Sequence, residues 1–174
     1  MRFITICLLT WSILGAYEYD KLLLRAQAYT FPKIVVLDKN YRQKLNKNSV
    51  EVAILYERID KLVAMNFKNM IKEKFASTIS SSALEVTLVE FDKLDKKYSA
   101  YIALKSKKSS IERVATLATA QGRMMFVYDS NDLKHGALVS LVIEDETSLF
   151  MNKKEIKRSK IDFNTAIFSI VRLW

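Results

Sequence analysis

Apolar patterns typical of strands alternate with patterns typical of helices between residues 50 and 143, and this alternation constrains the fold more than any other feature. Residues 50–56 alternate as a strand does, whereas residues 58–75 repeat their apolar side chains at helical spacing. The same patterns predict strands at residues 84–90, 100–104, 124–128 and 137–143, and a helix from Ser109 or Ser110 to Gln121 that Gly122 ends. The chain is therefore predicted to be an α/β protein, with a mainly parallel sheet and helices on both faces in a Rossmann-like three-layer arrangement.

The segments before this core are less regular. Residues 19–31 are predicted to form a helix that Pro32 ends or kinks, because proline disfavours helical geometry in the residue before it. Residues 33–38 fit either a short strand or a continued helix, and the polar residues 38–49 are expected to form a mobile linker or a frayed helix.

The segments after the core predict a hairpin and a last helix. A turn at residues 144–146 leads to a return strand at 148–151, which adds an antiparallel C-terminal hairpin. Asn164 can cap a final helix over residues 165–173. Since that segment is apolar almost all round, we expect it to pack in the core or, alternatively, on a partner.

The N-terminus carries the pattern of a secretory signal peptide. Arg2 precedes a short apolar run at residues 3–14, and Ala16 supplies a small residue for cleavage. We therefore expect residues 1–16 to be removed and residues 17–174 to form a single exported domain. The alternatives are a buried first element of a cytosolic protein and an uncleaved anchor, for which the run is short.

Composition limits the chemistry that remains after export. The only cysteine, Cys7, lies in the apolar run, so the mature chain has no thiol for catalysis, disulfides or zinc. The net charge of +9 favours an acidic protein partner or an anionic lipid surface, unless it serves only solubility. Nucleic acid is not an expected partner of an exported protein.

No catalytic or cofactor motif is apparent in the sequence. Gly15, Gly122 and Gly136 are too far apart to form a phosphate-binding loop. The hydroxyl residues between Ser77 and Ser82 lack the flanking glycines of a nucleophile elbow, and a single histidine is present to serve as a base. We therefore expect no enzymatic activity and no cofactor.

Two short segments of the C-terminal half are candidate sites. His135 could bind a cation or sense pH together with Asp129 and Asp132, although a solvated turn in which Gly136 supplies a positive φ angle is the favoured interpretation. Lys153, Lys157 and Lys160 are expected to share a helical face beside Asn152. That face is either a docking patch for an acidic partner or lipid headgroups, or a solvated surface.

The order of features after Gly136 resembles the YfiR-type periplasmic regulator family. A glycine precedes an apolar strand (ALVSLVI), an acidic turn, a second strand that ends on an asparagine (SLFMN), a short basic helix (KKEIKRSK) and an expected terminal apolar helix (IDFNTAIFSIVRLW). The helix before the Phe31–Pro32 pair and the strand at residues 50–56 are also similar to that family. Gly136 and Asn152 are the positions that carry over.

The resemblance implies a non-enzymatic periplasmic α/β domain that is often a homodimer. Such a domain binds the periplasmic part of an inner-membrane signalling protein, a diguanylate cyclase or a sensor kinase, and holds it inactive. Family members often carry cysteine pairs, which the mature chain lacks. Two alternatives remain: a small-ligand-binding protein with its pocket at the carboxyl ends of the strands, and an exported enzyme of another chemistry. A polar cleft with carboxylates from residues 56–60 and 129–132 would favour the ligand binder.

Overall fold

The computed structural model describes residues 17–174, so the predicted signal peptide lies outside the described residues. The helices are α1 (Lys21–Val35), α2 (Lys61–Phe75), α3 (Lys108–Ala120) and α4 (Lys153–Ser159). The strands are β1 (Ser49–Tyr56), β2 (Thr78–Ile79), β3 (Ser82–Glu90), β4 (Ala100–Ala103), β5 (Met124–Val127), β6 (Val139–Ile143), β7 (Thr147–Met151) and β8 (Val171–Leu173). Across residues 17–174, no helix is both long enough and apolar enough to cross a membrane.

The strands form one sheet in the order β2-β3-β1-β4-β5-β6-β7-β8. Strands β3, β1, β4, β5 and β6 are parallel, whereas β6 and β7 form the antiparallel hairpin predicted near the C-terminus. The chain leaves β1 for β3 on one side and then returns to β4 on the other. The predicted α/β class, the mainly parallel sheet and the antiparallel hairpin are confirmed.

Helices cover both faces of the sheet and enclose two apolar cores. On one face α1 and α2 pack against alternate residues of the strands, and the rings of Phe31 and Phe126 stack with centroids 4.7 Å apart. On the other face α3 packs over Leu55 and Tyr101. Every residue of β1 is therefore buried, because a central parallel strand has no solvent-facing side.

Of the two effects predicted for Pro32, an end of the helix is wrong, because α1 continues through Pro32 to Val35. The lost backbone hydrogen bond is offset by packing, since Phe31 and Ile34 on either side of the proline are fully or almost fully buried. The segment at residues 38–49, predicted to be mobile, is also fixed. It contains a 3₁₀ turn at Tyr41–Lys44, and the Lys44 ammonium lies 2.5 Å from the buried Asp38 carboxylate.

The predicted final helix at residues 165–173 is wrong. Asn164 does cap a turn, since its side chain accepts from the Ala166 N–H at 3.1 Å, but the 3₁₀ turn ends at Ser169 and β8 follows. Strand β8 pairs in parallel with β7, whose open edge supplies backbone partners that the helical pattern does not reveal. The expected core packing is limited to Ile167, while the apolar side chains after it are mostly exposed.

Candidate functional site

A groove of about 670 Å³ lies between α3, the 3₁₀ segment Ser130–His135 and α4. It brings together three of the predicted site residues, His135, Gly136 and Asn152. The other residues that line the groove include Glu112, Thr119, Leu133, Lys154, Glu155, Arg158 and Trp174.

Asn152 is buried and has a structural role in this groove. Its side-chain oxygen accepts from the backbone N–H groups of Lys154 (3.0 Å) and Glu155 (3.2 Å), which caps α4. Its amide nitrogen donates to the Leu133 carbonyl at 2.8 Å. Asn152 therefore ties the start of α4 to the 3₁₀ segment.

Gly136 adopts the positive φ angle that the sequence predicts, at +93°. Its N–H donates to the Leu133 carbonyl at 3.1 Å, which closes the 3₁₀ segment before β6. A Cβ at this position would lie 3.2 Å from the Cβ of Ala115 on α3. Both the backbone conformation and the close approach of α3 favour glycine.

His135 pairs with Glu112 of α3, with 3.4 Å between Nδ1 and Oε1. Asp129 instead accepts from the backbone and side-chain nitrogens of Asn131, at 2.9 and 3.0 Å. Within residues 17–174, no group of three histidine, cysteine, aspartate or glutamate side chains is arranged so that it could hold a metal ion. Burial is the main cause that raises the pKa of the Asp132 carboxyl to about 6, and the negative charge of Asp129 is the second. Asp132 is therefore a candidate for a pH-sensitive role.

The Glu155 carboxylate is buried at the side of the groove and is fully engaged. It accepts from the Arg158 guanidinium at 2.7 Å and from the Thr119 hydroxyl at 3.2 Å. The outer part of the Arg158 side chain remains exposed, whereas the Glu155 carboxylate beside it is buried and hydrogen-bonded. The groove therefore presents positive charge at its rim. Such an arrangement suits recognition of a charged or polar surface.

The predicted lysine face of the short helix is correct for two of its three members. Lys153 and Lys157 lie one turn apart on α4 and are exposed. Lys160 does not belong to the helix, because α4 ends at Ser159 and Lys160 takes a left-handed conformation with φ of +54°. All three ammonium groups nevertheless extend from the same short segment into solvent.

Next to this segment lies an exposed apolar surface, here called the C-terminal apolar edge, which comprises Phe168, Ile170, Leu173 and Trp174. It lies on and around β8, the last strand of the sheet. Ile170 is 61% exposed and Trp174 is 50% exposed. The opposite edge is blunted, since β2 has two residues and is followed by Ser80 and Ser81 in left-handed conformations.

A second polar site, here called the strand-end crevice, lies at the carboxyl ends of β1 and β4, where the strand order reverses. Residues 17–20 cross it before α1 begins. The Tyr19 hydroxyl donates to Asp60 at 3.0 Å and accepts from the Lys105 N–H at 3.1 Å. The Asp20 N–H donates to the Tyr128 hydroxyl at 2.7 Å.

The cleft expected of a ligand binder at these strand ends is occupied by the chain itself. A cavity of about 470 Å³ remains there, lined by residues 18–21, Lys105 and Tyr128. Neither Asp60 nor Asp129 lines it, so the predicted convergence of carboxylates from the two loops does not form an open site.

The chain matches no family model, and it has no significant match among curated proteins. Among solved structures it is similar to a conserved domain protein from Vibrio cholerae, with a TM-score of 0.58 and 12% identity over 86% of this chain and 59% of that one. It is also similar to the ABC domain in complex with L-Trp from Streptococcus pneumoniae, with a TM-score of 0.54 and 12% identity over 81% of this chain and 62% of that one.

These similarities show the fold alone. The chain spans about three fifths of the length of each of these two structures. Both support the α/β architecture.

Several residues of these sites are not apparent from the sequence. Glu112 and Trp174 reach the groove only through the packing of α3 and β8, which no local pattern reveals. Asp60 does have a local signal, because a carboxylate in the short connection between a strand and an amphipathic helix is placed at a sheet end. Tyr19 has none, since it precedes its helix as an ordinary aromatic residue.

Proposed function

We propose that this chain is a non-enzymatic regulatory domain that, after export, binds the periplasmic part of an inner-membrane signalling protein, such as a diguanylate cyclase or a sensor kinase. The observation that carries the proposal is Trp174, a half-exposed tryptophan directly after the edge strand β8 and hydrogen-bonded through its backbone to the exposed basic segment. The resemblance of the sequence to the YfiR-type family supports the same function.

Trp174 has the properties of an interface anchor. Its backbone is fixed on both sides, since its N–H donates to Met151 at 2.9 Å and its carbonyl accepts from Lys153 at 3.3 Å. A rigidly held tryptophan buries a large area at small entropic cost, and tryptophans dominate the binding energy of many interfaces. Ile170 and Leu173 are also exposed at this edge of the sheet.

The surroundings of Trp174 define the kind of surface that would bind there. The free edge of β8 can accept a further strand by backbone hydrogen bonding, with alternate side chains giving specificity. Lys153 and Lys157 favour an acidic surface and would accelerate its approach at low salt. The expected partner surface is therefore an apolar strand or patch flanked by carboxylates.

Site-specific photo-crosslinking in the native host tests this function. A photoreactive amino acid replaces Trp174, and a control variant carries it at Leu62, which is exposed on α2 away from the C-terminal apolar edge. We expect position 174, and not position 62, to crosslink to one inner-membrane protein with a cytoplasmic signalling domain. Absence of any membrane protein at position 174, or the same products at both positions, would contradict the proposal.

A second candidate function is the binding of a small ligand. It is favoured by the groove of about 670 Å³ beside Trp174 and by the similarity in fold to a domain that carries L-Trp. A thermal-shift series with amino acids distinguishes the two functions. A saturable rise in Tm that Arg158→Ala abolishes would favour the ligand binder.

A further inference from the structure

Asp60 is a buried carboxylate without a matching positive charge in the part of the chain that the structure describes. The residue is 1% exposed and lies in the 3₁₀ turn that follows β1. One carboxylate oxygen accepts from the neutral hydroxyl of Tyr19 at 3.0 Å, and the other accepts no well-formed hydrogen bond from residues 17–174. A buried carboxylate of this kind is destabilising unless a cation or several donors compensate for its lost hydration.

The cation nearest in the crevice, Lys105, is used elsewhere. Its ammonium donates to the Glu18 carbonyl at 2.6 Å and lies over the rings of Tyr19 and Tyr128, 5.6 and 5.3 Å from their centroids. Burial accordingly raises the pKa of Asp60 above its usual range, although hydrogen bonds from Tyr19 and the Tyr17 backbone and the charge of Lys105 oppose the rise.

Tyr17 lies two positions before Tyr19, whose hydroxyl donates to Asp60 at 3.0 Å, so the backbone nitrogen of Tyr17 is within reach of the carboxylate oxygen that Tyr19 leaves unfilled. In the unprocessed chain this nitrogen is a neutral amide. If the leader is cleaved after Ala16, the same nitrogen becomes an α-ammonium with three donors and a full positive charge. Charge-assisted hydrogen bonds to a carboxylate are markedly stronger than those from an amide, and this is the charge that Asp60 lacks.

We infer that Asp60 is a binding site for a primary ammonium group, and that its occupant is the α-ammonium of Tyr17 created by leader removal. The inference rests on the cleavage that the proposed function assumes. The preceding contacts fix the geometry, because Tyr19 and Asp20 hold residues 17–20 across the crevice through Asp60, Lys105 and Tyr128. Processing thereby fastens the N-terminus over the strand ends and leaves Asp60 closed to other amines.

Two forms of the purified protein test the pairing. One begins at Tyr17, released from a fusion by a protease that leaves no extra residue, and the other keeps Gly-Ser ahead of Tyr17. Asp60→Asn is made in both. The matched control is Asp92→Asn, because Asp92 also lies in a 3₁₀ turn directly after a strand but is exposed.

We expect the form that begins at Tyr17 to melt several degrees above the extended form. Asp60→Asn should abolish that difference, and Asp92→Asn should leave it unchanged. Equal melting of the two forms, or a difference that persists in Asp60→Asn, overturns the inference. Since cleavage is carried out in vitro, this result does not depend on whether the protein docks on a membrane partner.

A measurement without any substitution covers the case in which Asp60→Asn does not fold. The rate of Nα-acetylation of Tyr17 by acetic anhydride is compared between the native protein and the protein in urea. A paired ammonium should react at least tenfold more slowly in the native state, and equal rates would contradict the pairing.

A free amine in solution carries the same ammonium group as the N-terminus, and ethanolamine is the probe that tests this alternative occupant of the Asp60 site. It should cause no Asp60-dependent rise in Tm in the form that begins at Tyr17, because the site is already filled. A saturable Asp60-dependent rise in that form would overturn the assignment of Tyr17 as the occupant.

Discussion

The backbone N–H of Lys153 donates to the carbonyl oxygen of Trp174 over 3.3 Å. This bond joins the first residue of the basic helix α4 to the end of the edge strand β8. The exposed lysines and the exposed tryptophan are thereby held as parts of one surface, although 21 positions separate the two residues in the chain (174 − 153 = 21). The predictions below test this surface and the fold that supports it.

Reversing the basic segment should weaken association without affecting the fold. Lys153→Glu, Lys157→Glu and Lys160→Glu are combined in one variant. Exposed charges contribute little to stability, so Tm should hardly move. Binding to the membrane partner should weaken, and its dependence on salt should become smaller, because electrostatic steering is lost. Wild-type affinity across a salt series would indicate that the lysines form only a solvated face.

Asp132 should make stability depend on pH in a defined direction. The pKa of its carboxyl is raised from 3.8 to about 6, mainly by burial, so the folded state binds the proton more tightly than the unfolded state does. The contribution of Asp132 to stability is then fully present below about pH 4 and is lost as the pH rises through about 6.

Asp132→Asn removes this ionisation. After allowance for solvent screening, the variant should be more stable than the wild type by about 1 kcal/mol at pH 7.5 and equal to it near pH 3.5. Urea denaturation at both pH values measures the difference. A variant that is less stable at pH 7.5 would show that the Asp132 carboxylate is stabilising.

Charges placed in the centre of the sheet should unfold the domain. Val52 and Leu141 are buried in β1 and β6. Val52→Asp or Leu141→Asp should cost several kcal/mol against a total stability of about 5–15 kcal/mol. Leu62→Asp is the control, since Leu62 is 73% exposed, and its Tm should stay close to that of the wild type. Circular dichroism melting curves check all three variants.

Export should leave a defined N-terminus. N-terminal sequencing of the protein recovered from its native host should begin near Tyr17, as Arg2, the apolar run at residues 3–14 and Ala16 predict. Intact Met1 in the cytosolic fraction would contradict export and, with it, the proposed periplasmic partner.

The part of the fold in which strands and helices alternate is predictable, because the spacing of the apolar residues in each element indicates which side chains are buried. The strand at residues 50–56 and the helix that follows it have local patterns, and both are confirmed within a few residues. The predictions that Pro32 could end α1 and that residues 165–173 form a helix are wrong for the opposite reason. The helix through Pro32 depends on the burial of its neighbours, and β8 depends on the open edge of β7, neither of which is visible in the local sequence.

The candidate site is predictable in part. Gly136 and Asn152 are recognisable as positions, and the positive φ angle of Gly136 follows from its residue type. The role of Asn152 does not, because its partner Leu133 lies on a segment 19 residues away. The contribution of Trp174 likewise requires the tertiary structure. The helix predicted over residues 165–173 would not have placed the residues before Trp174 on the edge of the sheet.

The affinity of the Trp174→Ala variant tests the docking surface most directly. The ligand is the purified periplasmic part of the membrane protein that crosslinks at position 174, and titration calorimetry gives Kd for the wild type, Trp174→Ala and the control Leu62→Ala. Loss of an anchor tryptophan typically costs 2 kcal/mol or more, so we expect Kd to rise by about thirtyfold in Trp174→Ala and by less than about twofold in Leu62→Ala. A Trp174→Ala protein that keeps its fold and binds with wild-type affinity would contradict the account.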